Sequence, residues 1–506
     1  MNEKYLLGVD IGTYQSKGVL VNLKGEIISS YIVSHDLLVP QKGLAEHDAE
    51  KVWWGDFNLI TKKIFEKSKV DPKKIIAIGC SAIAPAVLPI DKQGNPLRKG
   101  ILYGIDTRAK EEITELEGLL GKNNIYNKSG NRLSTQSVGP KILWIKKNER
   151  HIYNKASKFV TASSFIVGRL TGNYVVDHYT AAAGFTPFYN LSKKKWDKEM
   201  CEALIEIEQL PEVLWTTDIA GHVSKEASIY TGLSPGTPVI TGTADAAAEA
   251  ISIGIGKPGD TMLMYGSSFF FISITKKMEE DKRIESAPFL FPESYCLLGG
   301  MSTAGTLTRW IVDNTAKELT TKEKNQDDDS FQQLIQEAEN IPAGSEGLIA
   351  LPYFSGERTP INDPLAKGVF FGLSLIHTRA HLFCALLEGI GHGVKSNLDI
   401  LEGKGYQFKN VTAIGGGTKN HLWTQAISDI CNQTQNIPKT IIGASFGSAI
   451  LAGLGTGEIY SLEDAKKWVE TERKVEPNKD NHIVYQKNHE IFLSLYENTK
   501  ELMHKL

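Results

Sequence analysis

One carboxylate near the midpoint of the chain has the setting of a proton acceptor. In Pro238-Val-Ile-Thr-Gly-Thr-Ala-Asp-Ala-Ala-Ala-Glu-Ala250, a short apolar run gives way to Thr-Gly-Thr, then Asp245, then an alanine-rich run that reads as helix. Strand, tight turn and helix in that order put Asp245 at a strand end, beside a helix N-terminus. Two uses fit. An aspartate caps the unpaired N–H groups of a first helical turn. A rigidly held carboxylate also serves as a general base.

Two further stretches suit phosphate. Asp10-Ile-Gly-Thr-Tyr-Gln-Ser-Lys17 lies between strand-like apolar runs. Gly12 permits close backbone approach, Thr13 and Ser16 offer hydroxyls, and Lys17 offers a charge. Asp10, at the strand end, suits holding a Mg²⁺ ion through water. A plain hairpin turn with an exposed lysine accounts for the same residues. Asp260–Ile274 repeats the pattern weakly, as strand, Gly266-Ser-Ser268 turn and strand. Asp106 and Arg108, two apart, would share one face of a strand or its end. The alternative for them is a surface ion pair of little worth.

Other pattern matches fail on context. Gly254-Ile-Gly-Lys-Pro-Gly259 fits G-x-G-x-x-G, but it follows a helix and contains Pro258, so it reads as a helix stop. Gly443-Ala-Ser-Phe-Gly447 fits the hydrolase elbow, yet only His482, His489 and His504 follow it, in polar sequence. There is no G-x-x-x-x-G-K-[ST]. His178 reads as a structural or surface histidine, and the 322–330 run with its three aspartates as a solvated loop.

The elements that must position these residues belong to a large α/β protein. With 506 residues the chain exceeds one core, so two large domains are expected. Hydrophobic residues at 41% and charged residues at 23% are ordinary for a globular chain. A net charge of −3 gives no electrostatic case for nucleic acid or an anionic membrane. No apolar run approaches the roughly 20 residues that span a bilayer. Met1-Asn-Glu-Lys leads straight into a strand without signal-peptide architecture, so a cytoplasmic location is expected. The five cysteines are scattered and read as buried free thiols. A helix after Asp48, with Trp53, Phe57, Ile60 and Ile64 on one face, belongs to the core. A C-terminal helix over 488–506 should turn Ile491, Leu495 and Leu502 to one side.

Several segments carry a family resemblance. Asp-x-Gly-Thr at a first strand end is shared by actin, Hsp70 and sugar-kinase ATPases. Gly43-Leu-Ala-Glu-His-Asp48 more narrowly resembles the Gly-Trp-x-Glu-Gln-Asp of the FGGY carbohydrate kinases. Gly139-Pro-Lys-Ile-Leu-Trp144, Gly299–Trp310, Tyr353-Phe-Ser-Gly-Glu-Arg-Thr-Pro360 and Ala413–Trp423 match further family segments in order. The resemblance spans roughly Tyr5 to Gly457 and is nearest the xylulokinase branch. Two departures lie on the sugar side. Ile83-Ala-Pro-Ala86 stands where xylulokinases have Gln-Met-His-Gly, and Gly104-Ile105 where they have Trp-Asn.

The resemblance implies an α/β fold of two actin-like (ribonuclease H-like) ATPase domains with an interdomain cleft. Residues 1–247 would carry the first phosphate loop, the sugar site and the base; residues 248–506 would carry the second phosphate loop and the adenine site. ATP and Mg²⁺ are the implied cofactors. Asp245 becomes the catalytic base. Asp10, Gly12, Thr13, Lys17, Gly266 and Ser267 serve the phosphates and metal, Gly305 lies under the nucleotide, and Gly416, Gly417 and Asn420 meet adenine. Asp106, Arg108 and Asp245 face a small sugar or polyol, a ketose foremost. A homodimer is compatible with this reading. Two rivals remain: an Hsp70-like conformational ATPase, and a sugar-binding sensor of reduced catalysis. Gly104, in place of tryptophan, is expected to open space in the sugar site.

Overall fold

The computed structural model describes residues 3–316, 329–439 and 442–506. The acidic 322–328 run lies outside the described residues. In chain order, the elements that matter begin with β1 (Tyr5–Ile11), β2 (Gln15–Asn22), β3 (Ile27–Ser34), α1 (Gly55–Ser68) and β4 (Ile75–Ala82). There follow β5 (Ile219–His222), β6 (Pro238–Ile240), β7 (Thr243–Ala244), α2 (Asp245–Ser252), β8 (Asp260–Tyr265) and β9 (Phe269–Thr275). The remainder are α3 (Gly305–Thr315), β10 (Asn410–Ile414), α4 (His421–Cys431), β11 (Gln435–Pro438), α5 (Ala444–Gly455) and β12 (Thr471–Val475).

The chain forms two compact units. The first comprises Met1–Lys257, Ile274–Cys296 and Ile442–Val469; the second comprises Pro258–Ser273, Leu297–Ile441 and Glu470–Leu506. In the first unit the strands run β5-β6-β4-β1-β2-β3, with β7 also on β4. β1 is antiparallel to β2 and parallel to β4. Segment 442–469 returns to this unit because α5 is built of small residues. A Cβ on Gly8 or Gly79 would collide with the α5 backbone, and one on Gly447 with that of α2. Helix and sheet therefore pack at backbone distance.

Trp53, Phe57, Ile60 and Ile64 are fully buried, as the apolar spacing predicts. Asp48 caps their segment, accepting from the Lys51 N–H at 3.1 Å. Asp56 sits on the same helix and is also buried, a cost that requires partners.

The second unit repeats the hairpin-plus-parallel plan. β8 is antiparallel to β9 and parallel to β10, which is parallel to β11, itself antiparallel to β12. The C-terminal helix is longer than expected, Lys479–Met503, and its inward face differs. Tyr485, Phe492, Leu495, Tyr496 and Met503 are buried, while Ile491 and Leu502 are exposed. The aromatic stripe has the larger area to bury and wins the core side. All five cysteines are buried free thiols. Among the described residues no helix is long and apolar enough to cross a membrane.

Candidate active site

In the first unit, strand register assembles a row of polar groups. Asp10 lies opposite Lys17 on β2 and opposite Ser81 on β4, and Ser81 lies opposite Thr243 on β7. Ser81 donates its hydroxyl to Asp10 Oδ1 at 2.8 Å. Lys17 is half-buried and forms no ion pair among the described residues. Two residues beyond Thr243 comes Asp245, the first residue of α2.

Asp245 does not cap its helix. Ala244 holds the N-cap position, and no side chain caps there. Among the described residues the carboxylate accepts only the N–H of the adjoining Ala246, at 2.8 Å. The N-cap alternative thus fails: Asp245 is already the first helical residue, and its one bond runs to the next amide from inside the helix and not from the cap position. Burial, then the charge of Asp10, raises the pKa of Asp245 above the ordinary carboxylate range. Burial likewise raises that of Asp10, against the Ser81 hydrogen bond and the charge of Lys17. Glu249, four residues after Asp245 and so on the same face of α2, is a third member. Burial, then Asp10, pushes it up to about 7. Glu249 was missed in the sequence, although its i+4 spacing was a signal.

Asp10, Asp245 and Glu249 are carboxyl groups that each disfavour ionisation, surroundings short of positive charge. Among the described residues no three His, Cys, Asp or Glu groups form a direct metal cage. Mg²⁺ keeps several waters and uses one or two carboxylates. Asp10, with one oxygen on Ser81 and no bond to the other among the described residues, fits a water-mediated contact.

The Gly12 turn closes through Gly12 N–H to Gln15 O at 3.0 Å. The Thr13 hydroxyl sits 3.2 Å from the Tyr103 hydroxyl. Asp106 and Arg108 lie in an irregular turn after Ile101, not on a strand. They are not a surface pair either: their side chains are 0% and 2% exposed. Arg108 grips both Asp106 oxygens and reaches Glu46 at 2.8 Å. Asp106 also accepts the Ala45 N–H at 2.7 Å. Lys141, from the Pro-Lys segment, is buried and donates to the Leu102 and Tyr103 carbonyls at 2.6 and 3.1 Å.

Gly104 does not open space. The Gln136 side chain lies against it, accepting the Gly104 N–H at 2.9 Å, and a Cβ on Gly104 would stand 2.7 Å from Gln136 Nε2. Ile83 and Pro85 are buried and apolar. His178 is buried against Trp215 with Nδ1 2.7 Å from the Tyr189 hydroxyl, a structural role.

In the second unit, the Gly266 turn is seated on the start of α3. Ser267 O accepts the Ala304 and Thr306 N–H groups at 2.9 and 3.1 Å, and Gly305 N–H donates to Gly266 O at 3.0 Å. The Ser267 side chain is exposed. A Cβ on Gly305 would lie 2.6 Å from Gly266 O, so glycine is required there. Elsewhere in the unit, Asn420 caps α4, accepting from Leu422 and Trp423 N–H at 3.1 and 3.2 Å. Among the described residues its Nδ2 has no hydrogen-bond partner. Gly417 packs on the Trp423 ring, whereas a Cβ on Gly416 would meet nothing within 4 Å. Glu357 of the Gly-Glu-Arg-Thr-Pro stretch is a buried brace, accepting the Ser302 N–H at 2.7 Å.

The family models for the N- and C-terminal domains of the FGGY family of carbohydrate kinases match residues 5–252 and 261–456. The chain belongs to the FGGY family of carbohydrate kinases. It is 27% identical over 497 residues to a xylulose kinase of Staphylococcus xylosus, covering 97% of this chain and all of that one. It is also 27% identical over 495 residues to a gluconokinase of Bacillus subtilis, covering 97% and 95%. Among solved structures, xylulose kinase from Rhodospirillum rubrum superposes with a TM-score of 0.92 at 29% identity, covering 99% of this chain and 100% of that one. The actin-like α/β fold of FGGY kinases is therefore the fold of this chain.

Proposed function

We propose that this FGGY kinase transfers the γ-phosphoryl group of ATP to a hydroxyl of a small sugar or polyol, with Asp245 as general base. The observation that carries the reading is the state of Asp245. Its carboxylate is rigidly based at a helix start, bonded there to the Ala246 N–H, and held in surroundings that raise its proton affinity toward working pH. Asp245 would take the proton from the attacking hydroxyl. Gly12, Thr13 and Lys17 of the first unit, and Gly266 and Ser267 of the second, would hold phosphate oxygens, with Gly305 under the nucleotide. Gly416, Gly417 and Asn420 would flank the adenine. Mg²⁺, held through water at Asp10, would supply positive charge for the transferring group. By this reading residues 1–247 carry acceptor and base, residues 248–506 carry the nucleoside, and the enzyme works in the cytoplasm.

Asp106 and Arg108 could meet an acceptor only by exchanging their present bonds. We assign them first to holding Tyr103–Ile105 in place, and to the acceptor's hydroxyls second. Ile83 and Pro85 carry no side-chain donor or acceptor. A site lacking those groups cannot reward the hydroxyls that a Gln-and-His loop would bond. D-Xylulose should therefore be a poor substrate, with another ketose, polyol or aldonate preferred.

A coupled ADP-release screen over ketoses, polyols and aldonates, ranked by kcat/KM, tests this. One acceptor well above the rest is expected. D-Xylulose ranking first would refute the inference from the loop. Acceptor-independent ATP turnover would favour a conformational ATPase, and tight sugar binding without turnover a sensor.

A further inference from the structure

The Gly12–Thr13 turn is held from beneath by two histidines. His35 follows β3, and its N–H donates to Tyr14 O at 3.0 Å. Its ring Nδ1 is 2.8 Å from Asp56 Oδ2 and its Nε2 is 3.2 Å from Gly12 O. Asp56, on α1, also accepts the Ser16 hydroxyl at 2.6 Å. The His35 and Asp56 side chains are 7% and 8% exposed. His47 places Nε2 3.0 Å from Thr13 O, and the Trp53 indole N–H donates to its Nδ1 at 3.2 Å. The two imidazoles meet edge to face at 5.0 Å.

Counting donors fixes which ring nitrogens face the carbonyls with a proton. An indole N–H only donates, so His47 accepts at Nδ1 and donates from Nε2–H, as a neutral ring. Burial, with His35 acting in the same direction, lowers its pKa to about 4. His35 Nε2 faces a carbonyl, which only accepts, so that nitrogen carries a proton and donates to Gly12 O, while Nδ1 is engaged by the Asp56 carboxyl group.

The consequence falls on the far side of the turn. In a trans peptide the C=O and the following N–H point in opposite directions. Holding the Gly12 and Thr13 carbonyls on imidazoles therefore turns the Thr13 and Tyr14 N–H groups away from the protein. Neither has a hydrogen-bond acceptor among the described residues. Successive unpaired N–H groups make a concave anion site.

We infer that His35 is a positioning residue of the phosphate loop: anchored by Asp56, it fixes the Gly12–Thr13 peptide, as His47 fixes the next one, so that their N–H groups face phosphate. This rests on reading the loop as a phosphate holder.

The test uses the full chain and two probes, the Mg²⁺ complex of a non-hydrolysable ATP analogue and free adenosine, titrated calorimetrically. His35→Ala should weaken the analogue roughly tenfold, the scale of one hydrogen bond, and leave adenosine unchanged. His35→Gln, which restores a donor for Gly12 O, should recover part of the loss. Asp56→Asn keeps the ring but loosens its anchor, and should weaken the analogue several-fold. ¹⁵N spectra of histidine-labelled wild type should show a proton on His35 Nε2, the nitrogen facing Gly12 O, a reading independent of any variant's folding. Wild-type analogue affinity in both His35 variants, equal losses for analogue and adenosine, or a His35 Nε2 without a proton would each overturn the inference while sparing the kinase reading. Failure of the wild type to bind the analogue would overturn both.

Discussion

The two hairpin turns proposed to hold phosphate share a topology and differ in what braces them. The β1–β2 turn adds side chains to its backbone bonds: His35 and His47 beneath its carbonyls, and Ser81 on Asp10 at its base. The β8–β9 turn is held mainly by backbone, with Ser267 O accepting two N–H groups and the Thr306 hydroxyl from the start of α3. One braces with ionisable groups and stands beside Asp10, Asp245 and Glu249. The other has no ionisable side chain in its brace among the described residues and offers shape and an exposed hydroxyl. A repeat can thus keep its strand plan while only one copy acquires charge that responds to pH.

That contrast can be broken at either end. The largest effect should come from Asp245→Asn in the charged unit. It keeps the shape and removes the proton acceptor, so turnover should fall roughly 10²–10⁴-fold, with ATP affinity near wild type. Steady-state kinetics beside calorimetry decides it, and near-normal turnover would remove Asp245 as the base. Gly305→Ala attacks the backbone-braced turn, since its Cβ would stand 2.6 Å from Gly266 O. A displaced turn should cost up to about 10²-fold in kcat/KM for ATP and leave the acceptor KM alone. A smaller change is expected from Gly416→Val. Nothing lies within 4 Å of a Cβ there, so the melting temperature should hold. Crowding of the adenine should weaken ATP about tenfold, the cost of a modest clash. Unchanged ATP affinity would take adenine away from Gly416.

Much of this was legible in the chain because glycine, hydroxyl and carboxylate at a strand end carry local information. The turn at Gly12, the turn at Gly266 and the helix start at Asp245 are all set by neighbours in sequence. His35 and Asp56 were not legible, because their contact depends on how β3 packs on α1. Gly104 misled for the same reason: the side chain that covers it, Gln136, arrives from 32 residues away. Nor could the small residues of α5 name the strands they pack on. The C-terminal helix was read from aliphatic spacing alone, and its aromatic stripe set the buried face.

The smallest effect tests whether charge in the first unit is shared among its carboxyl groups. Burial is the leading cause of the raised pKa of Asp245, and the charges of Asp10 and Glu249 add to it. A general base works when deprotonated, so kcat/KM should fall on the acid side at a pH above that of an ordinary aspartate. Glu249→Gln removes one like charge and leaves the burial. The acid limb should move to lower pH by a few tenths of a unit, roughly the reach of one secondary charge. The same variant has a second signature in the ligand-free protein. The folded pKa of Glu249, about 7, lies above its ordinary 4.5. Its contribution to stability is therefore full below about pH 4.5 and is lost as pH rises through 7. Melting temperatures at pH 5 and pH 8 should differ less in Glu249→Gln than in wild type. Gly305→Ala, in the unit whose turn is braced by backbone, should leave that difference as it is. An acid limb that stays put in Glu249→Gln while the melting difference shrinks would show that Glu249 titrates without touching the base, and the charged cluster would then divide into independent sites.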